Sequence, residues 1–271
     1  MSYGKNDMSF IAAMDHSGGS TGGVLDRYGQ EYTEENKMEK VHAMRLRMVN
    51  SPDFVKENIW ASILYVDTVE RGMVTVLQEK GIQAFLKVDS GCEEDGSLKD
   101  FDLQLMIDTA LFNKCSGTKM RSIVKSIDTM DKILDQQFDL AQRIYDAGLM
   151  PIIEPEIPID HPDKASYENM LGDEIEDRLE DYDGECILKL TLPERPNIYS
   201  DVMRADGVKK VVGLSGGYST EEACDRLSKQ RGMTASFSRA LSEGLFANQT
   251  DEEFNQAISK NINMIRDAGN A

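Results

Sequence analysis

Lys87 and Asp89 lie two residues apart in the run Ala84–Asp89, Lys119 and Arg121 flank Met120, Glu154 and Glu156 flank Pro155, and Lys189 interrupts Ile187–Leu190. Side chains two apart on a strand share a face. A charge set into an apolar strand covered on both sides costs several kcal/mol if it has no partner. Taken singly, each residue reads as a snorkelling side chain or half of an ion pair. Four strands doing this independently is implausible, and one shared polar pocket accounts for them all. A lysine in such a pocket is a nucleophile. Its amine, ordinarily with a pKa of about 10.4, gives up its proton more readily beside a second cation and away from water. It can then attack a carbonyl and form an imine that withdraws electrons from the adjacent carbon. Lys189 has the most apolar setting and is the expected nucleophile, with Lys119 the neighbouring cation. Glu154 is the carboxylate expected to move protons when water leaves.

Two glycine clusters suggest where an anion would rest. Ser215, Gly216 and Gly217 follow the run Val211–Leu214, and Ser236 and Arg239 close the run that begins at Thr234. Backbone N–H groups can approach a phosphate closely at such glycines, ahead of a helix that opens at Ser219–Thr220. The second cluster, Ser17–Thr21, stands directly behind Asp15. Neither ends in the G-K-[ST] of a nucleotide-binding P-loop.

These residues need elements to hold them. Eight short apolar runs recur: Phe10–Asp15, Trp60–Tyr65, Ala84–Asp89, Cys115–Met120, Met150–Glu154, Cys186–Leu192, Val211–Leu214 and Thr234–Phe237. Amphipathic helices are predicted between and after them over Glu35–Val49, Met130–Ala147, Glu221–Lys229 and Glu252–Ala268, the last two opened by Thr220 and Asp251 as N-caps. Strands alternating with helices imply a parallel sheet, and eight units in this length suit an α/β (β/α)8 TIM barrel, a single domain over residues 1–271. An open doubly wound sheet is the alternative. In a barrel, the charged strand ends and both glycine clusters fall at the C-terminal face, where barrel active sites lie. The acidic stretch Asp173–Glu185 lacks the ligand order of a calcium loop and reads as a solvated helix face.

Composition narrows the partners. A formal charge of −18 excludes a surface built to neutralise nucleic acid or anionic membrane, while a few clustered cations can still bind a small anion. The four cysteines form no C-x-x-C pair, and His16, His42 and His161 have no ligand spacing, so no metal and no cofactor is expected. The longest apolar run near the N-terminus, Phe10–Met14, is too short for a signal core or membrane span, which makes the cytoplasm the expected compartment.

The segments FIAAMDHSGGST at 10–21, FLKVDSG at 85–91, GTKMRS at 117–122, MPIIEPEI at 150–157, ILKLTLPERPNIY at 187–199, VVGLSGGYS at 211–219 and ASFSRAL at 235–241 together resemble the class I, Schiff-base fructose-1,6-bisphosphate aldolases, especially the shorter bacterial type. The resemblance runs from the first strand to the last in the family's order. It implies a (β/α)8 barrel, a phosphorylated sugar as the small-molecule partner, and Lys189 as Schiff-base former. Glu154 would handle carbinolamine dehydration with Glu156 beside it, Lys119 would assist carbinolamine formation, and Asp15 would act on the C4 hydroxyl. One phosphate would rest on Ser215, Gly216, Gly217, Ser236 and Arg239. The other would lie near Ser17, Ser20 and Lys87, with Arg121 contributing. The chain departs from animal members in ending Gly269–Asn270–Ala271, without their C-terminal tyrosine, and in carrying Ser238 where they have glycine. His16 has no role in this reading, and a homo-oligomer is left open. The alternatives are a Schiff-base aldolase, dehydratase or transaldolase for another phosphorylated sugar, and a sugar-phosphate-binding barrel without catalysis.

Overall fold

Eight parallel strands close into one ring in strict chain order, each hydrogen-bonded to the next and the last to the first. The computed structural model describes residues 9–271; the expected domain also takes in residues 1–8, which lie outside the described residues. The strands are β1 (Phe10–Met14), β2 (Ile59–Leu64), β3 (Gln83–Lys87), β4 (Gly117–Ile123), β5 (Met150–Glu156), β6 (Cys186–Thr191), β7 (Val208–Leu214) and β8 (Thr234–Phe237). Helices α1 (Gly19–Tyr28) and α2 (Lys37–Val49) follow β1, α3 (Val66–Glu70) and α4 (Met73–Glu79) follow β2, and α5 (Leu103–Phe112) follows β3. Next come α6 (Met130–Asp146) after β4, α7 (Lys164–Glu180) after β5, and α8 (Thr220–Leu227) after β7. The short α9 (Arg239–Ser242) and long α10 (Asp251–Gly269) end the chain, while β6 and β7 are joined through a 3-10 turn at Val202–Arg204. The open-sheet alternative is thereby excluded.

Strand alternation divides the apolar residues into two cores. Ile11, Ala13, Ala61, Ile63, Phe85, Met150, Ile152, Ile187 and Val212 fill the inside of the ring with Trp60. The intervening residues, among them Ala12, Leu86, Ile153, Leu188 and Val211, join Leu25, Val41, Ile133, Ile175 and Ile258 of the helices in the outer core. Gly117 shows how tightly the inner layer is filled, since a Cβ there would lie 2.0 Å from the Met150 carbonyl oxygen and 2.5 Å from the Phe85 ring.

The caps of α8 and α10 sit one residue before the expected Thr220 and Asp251. Ser219 accepts the Glu222 N–H, and Thr250 with Glu253 forms a reciprocal capping box. A cap residue must stay extended while its hydroxyl reaches the third helical N–H, a position that Ser219 and Thr250 occupy. The acidic stretch is only partly helical: α7 ends at Glu180 and the chain turns before Cys186.

Candidate active site

Four of the charged residues continue the inward face of a strand two positions beyond an apolar one: Ala13 leads to Asp15, Phe85 to Lys87, Ile152 to Glu154 and Ile187 to Lys189. Floor and mouth of the barrel are thus one alternating pattern that turns from apolar to charged. The resulting cavity is about 880 Å³. It is lined by all of Asp15, Ser17, Ser20, Lys87, Lys119, Arg121, Glu154, Glu156, Lys189, Ser215, Gly216, Gly217, Ser236 and Arg239. Six lysine and arginine side chains and five carboxylates line it, a near balance of charge in a chain of net −18.

At the centre, four groups from four strands alternate in sign. Lys119 Nζ lies 2.8 Å from Asp15 Oδ2 and 2.7 Å from Glu154 Oε2, and Lys189 Nζ lies 3.2 Å from Glu154 Oε1. Lys119, Glu154 and Lys189 are buried. Burial alone would strip the charge from Lys119, but Asp15 and Glu154 outweigh it and hold the ammonium firmly protonated. Burial likewise works to raise the Asp15 pKa, yet Lys119 and then Lys189 overcome it and hold this carboxyl far below the usual carboxylate range.

The strands are shaped to present these groups. β5 pairs with β6 only through Ile152–Ile187 and Ile153–Leu188. Beyond that point Gln137, reaching in from α6, accepts the Glu154 N–H at 3.0 Å. Thr191 then ties the strands together again through Ile157, accepting its N–H at 3.0 Å and donating to its carbonyl at 2.7 Å. The end of β6 is anchored by buried Lys164, which donates to the Leu192 carbonyl at 2.8 Å and pairs with Glu168.

The two expected anion sites differ in character. At Ser215–Gly217 both glycines have positive φ, 57° and 129°, and a Cβ on Gly216 would lie 2.5 Å from Ile159. Only glycine suits that turn. The Ser236 hydroxyl beside it is buried with no hydrogen-bond partner, and no carboxylate pairs with Arg239 among the described residues. A buried hydroxyl with no partner and a cation without a counter-ion suit the binding of an anion. Around the other site three of the side chains are already engaged. Lys87 Nζ is 2.7 Å from Asp89 Oδ1, Arg121 pairs with Glu156, and the Ser20 hydroxyl donates to the Ser17 carbonyl at 2.8 Å.

Several lining residues were not anticipated as site residues. Tyr65 and Lys125 extend the inward alternation of β2 and β4; Tyr65 closed its apolar run without being singled out, and Lys125 lies beyond the run that ended at Met120. His16 lies 3.3 Å from the Ser238 hydroxyl, and burial lowers its pKa to about 4, which leaves the ring neutral at physiological pH. Cys92 also lines the mouth, with its thiol pushed up by burial. Among the described residues no three His, Cys, Asp or Glu side chains converge as a metal site.

A (β/α)8 barrel whose mouth carries a buried lysine among carboxylates, beside an anion cradle, defines an enzyme class in which an amine captures a carbonyl. Comparison with known proteins narrows that class. The chain is 42% identical over 281 residues to the class 1 fructose-bisphosphate aldolase of Clostridium acetobutylicum, covering 97% of this chain and 95% of that protein. It is 45% identical over 285 residues to the class 1 fructose-bisphosphate aldolase of Synechocystis sp., covering 97% and 94%. Among solved structures, the fructose-bisphosphate aldolase of Plasmodium falciparum, in complex with TRAP and a small-molecule inhibitor, superposes with a TM-score of 0.78 at 18% identity over 98% of this chain and 92% of that one. That likeness establishes the shared fold. No family model matches the chain. At 42–45% identity over nearly its whole length, the protein belongs to the class 1 fructose-bisphosphate aldolases.

Proposed function

We propose that this enzyme cleaves fructose 1,6-bisphosphate reversibly to dihydroxyacetone phosphate and glyceraldehyde 3-phosphate, through an imine on Lys189. The observation that carries the assignment of residues is the buried sequence of contacts Asp15–Lys119–Glu154–Lys189. The neutral Lys189 amine attacks the C2 carbonyl to give a carbinolamine, and Lys119, held charged, stabilises the oxygen as it gains negative character. Glu154, 3.2 Å from the amine, relays the proton with which the C2 hydroxyl leaves as water. Glu156 is removed from this exchange by its pairing with Arg121 and supports from the side. Asp15, ionised, takes the C4 hydroxyl proton; the C3–C4 bond breaks, its electrons pass to the iminium nitrogen, and the aldehyde departs. Protonation of the enamine at C3 and hydrolysis of the imine release the second product. One phosphate rests on Ser215, Gly216, Gly217, Ser236 and Arg239, and the other on Ser17, Ser20, Lys87 and Arg121 once the last three leave their present partners. No helix among the described residues is long and apolar enough to cross a membrane, and the cysteines are free, in keeping with work in the cytoplasm.

Borohydride reduction in the presence of dihydroxyacetone phosphate tests the assignment. A stable mass addition at Lys189, absent in Lys189→Ala, is expected. Unchanged mass together with loss of activity in EDTA would overturn it.

A further inference from the structure

Arg45 is a charge in an apolar stripe that the mechanism above leaves unused. It shares the buried face of α2 with Val41, Met48 and Val49, and the residue is only 2% exposed. No carboxylate lies within ion-pair distance of its guanidinium among the described residues. Its contacts are neutral: Nη1 donates to Thr68 Oγ1 at 2.5 Å, and Nη2 donates to the His16 carbonyl at 2.7 Å. Burial pulls its pKa to about 10, and Asp15 and Asp67 oppose that only from a distance. An uncompensated buried cation costs several kcal/mol, which methionine would avoid in surroundings that already hold Met44 and Met48. Fold stability therefore gives no reason for arginine here.

What the guanidinium holds does give one. β1 ends at Met14, one residue short of Asp15, and the carbonyl that Arg45 grips belongs to the residue immediately after Asp15. We propose that Arg45 is the positioning residue for Asp15, fixing the loop behind β1 so that the carboxylate meets the C4 hydroxyl of the sugar. Arg45 does not touch substrate; it acts through the His16 peptide. Displacement of a reacting group by about 1 Å costs roughly 100-fold in rate. The inference rests on the aldolase reading and on Asp15 as the C4 base.

Dihydroxyacetone phosphate has three carbons and no C4 hydroxyl, so its capture by Lys189 does not call on Asp15 as a base. Fructose 1,6-bisphosphate cleavage and borohydride-trapped dihydroxyacetone phosphate are therefore measured side by side in wild type, Arg45→Met and Arg45→Lys. Arg45→Met is expected to lose roughly 100-fold in kcat for cleavage while trapping stays within about twofold. Arg45→Lys, which can still donate to the His16 carbonyl, should recover about tenfold of that loss. Undiminished cleavage in Arg45→Met, or cleavage and trapping falling together, overturns the proposal. Should Arg45→Met not fold, Thr68→Val releases one contact and keeps the charge; a loss of a few-fold in cleavage alone supports the proposal, and a parallel loss overturns it. Wild-type protein that traps nothing would sink the aldolase reading itself, an outcome distinct from intact trapping with parallel losses in the variants.

Discussion

Lys119 serves two carboxylates at once, and removing it would strip both of their shared buried partner, at a cost of several kcal/mol. That interdependence distinguishes the proposed catalytic cluster from the proposed phosphate sites, where residues act more separately. Arg239 has no carboxylate partner, so Arg239→Ala should forfeit a charge-assisted contact of about 1.5–3 kcal/mol, roughly 10- to 150-fold in KM, for fructose 1,6-bisphosphate and fructose 1-phosphate alike. Lys87→Met should raise KM for the bisphosphate alone and by less, because the Lys87 ammonium must first part from Asp89. Steady-state kinetics on both substrates check the pair, and equal affinity in Arg239→Ala would remove that residue from the phosphate site. The charged strand residues were legible in the chain because alternation makes a buried charge conspicuous. Their pairings were not. Asp89 lies past the end of β3, and whether it turns back onto Lys87 is settled by the loop backbone. Arg45 carried a comparable signal, a charge at helical spacing among Val41, Met48 and Val49, but one charged residue on an amphipathic helix is too common to stand out.

At the level of elements, all eight strands were readable, with ends displaced by a few residues where charge obscured the apolar run. β4 and β5 extend to Ile123 and Glu156 because their outer residues remain in the ladder despite charged inward neighbours. α1 was not readable. It opens in Gly19–Ser20–Thr21–Gly22–Gly23, a stretch of poor helix formers, and is held by burial of Val24, Leu25 and Tyr28 against the barrel. β4 carries both Lys119 and Arg121, and its first residue sits where no side chain fits. Gly117→Ala should therefore cost on the order of 2 kcal/mol or more, a Tm loss of roughly 5 °C or more, with a fall in kcat as β4 shifts. Thermal unfolding with an activity assay reads both, and a variant of unchanged Tm would mean that the Met150 strand yields freely.

For the molecule as a whole, acid should act through few groups. Histidine ordinarily titrates near 6.5, and burial holds His16 at about 4, against the pull of Asp15 and with Arg45, Arg27 and Lys119 adding to the depression. Above about pH 6.5 the ring is neutral folded or unfolded and contributes nothing. Between about 6.5 and about 4 only the unfolded chain takes the proton, so stability falls as pH falls. His16→Gln should remove that part of the acid loss, on the order of 3 kcal/mol by pH 4, and urea unfolding of both proteins at pH 7.5 and pH 4.5 measures it. Asp15 acts in the same direction over a lower window: its folded value is depressed, so the stability it contributes is fully present above the ordinary carboxyl range and is lost progressively as pH falls below about 4. The four central groups come from the first, fourth, fifth and sixth strands of a ring that closes only when the eighth meets the first. The amine at position 189, proposed as the nucleophile, therefore meets its partners only in a chain long enough to supply the sixth strand, and the wall around them is complete only once the eighth is in place.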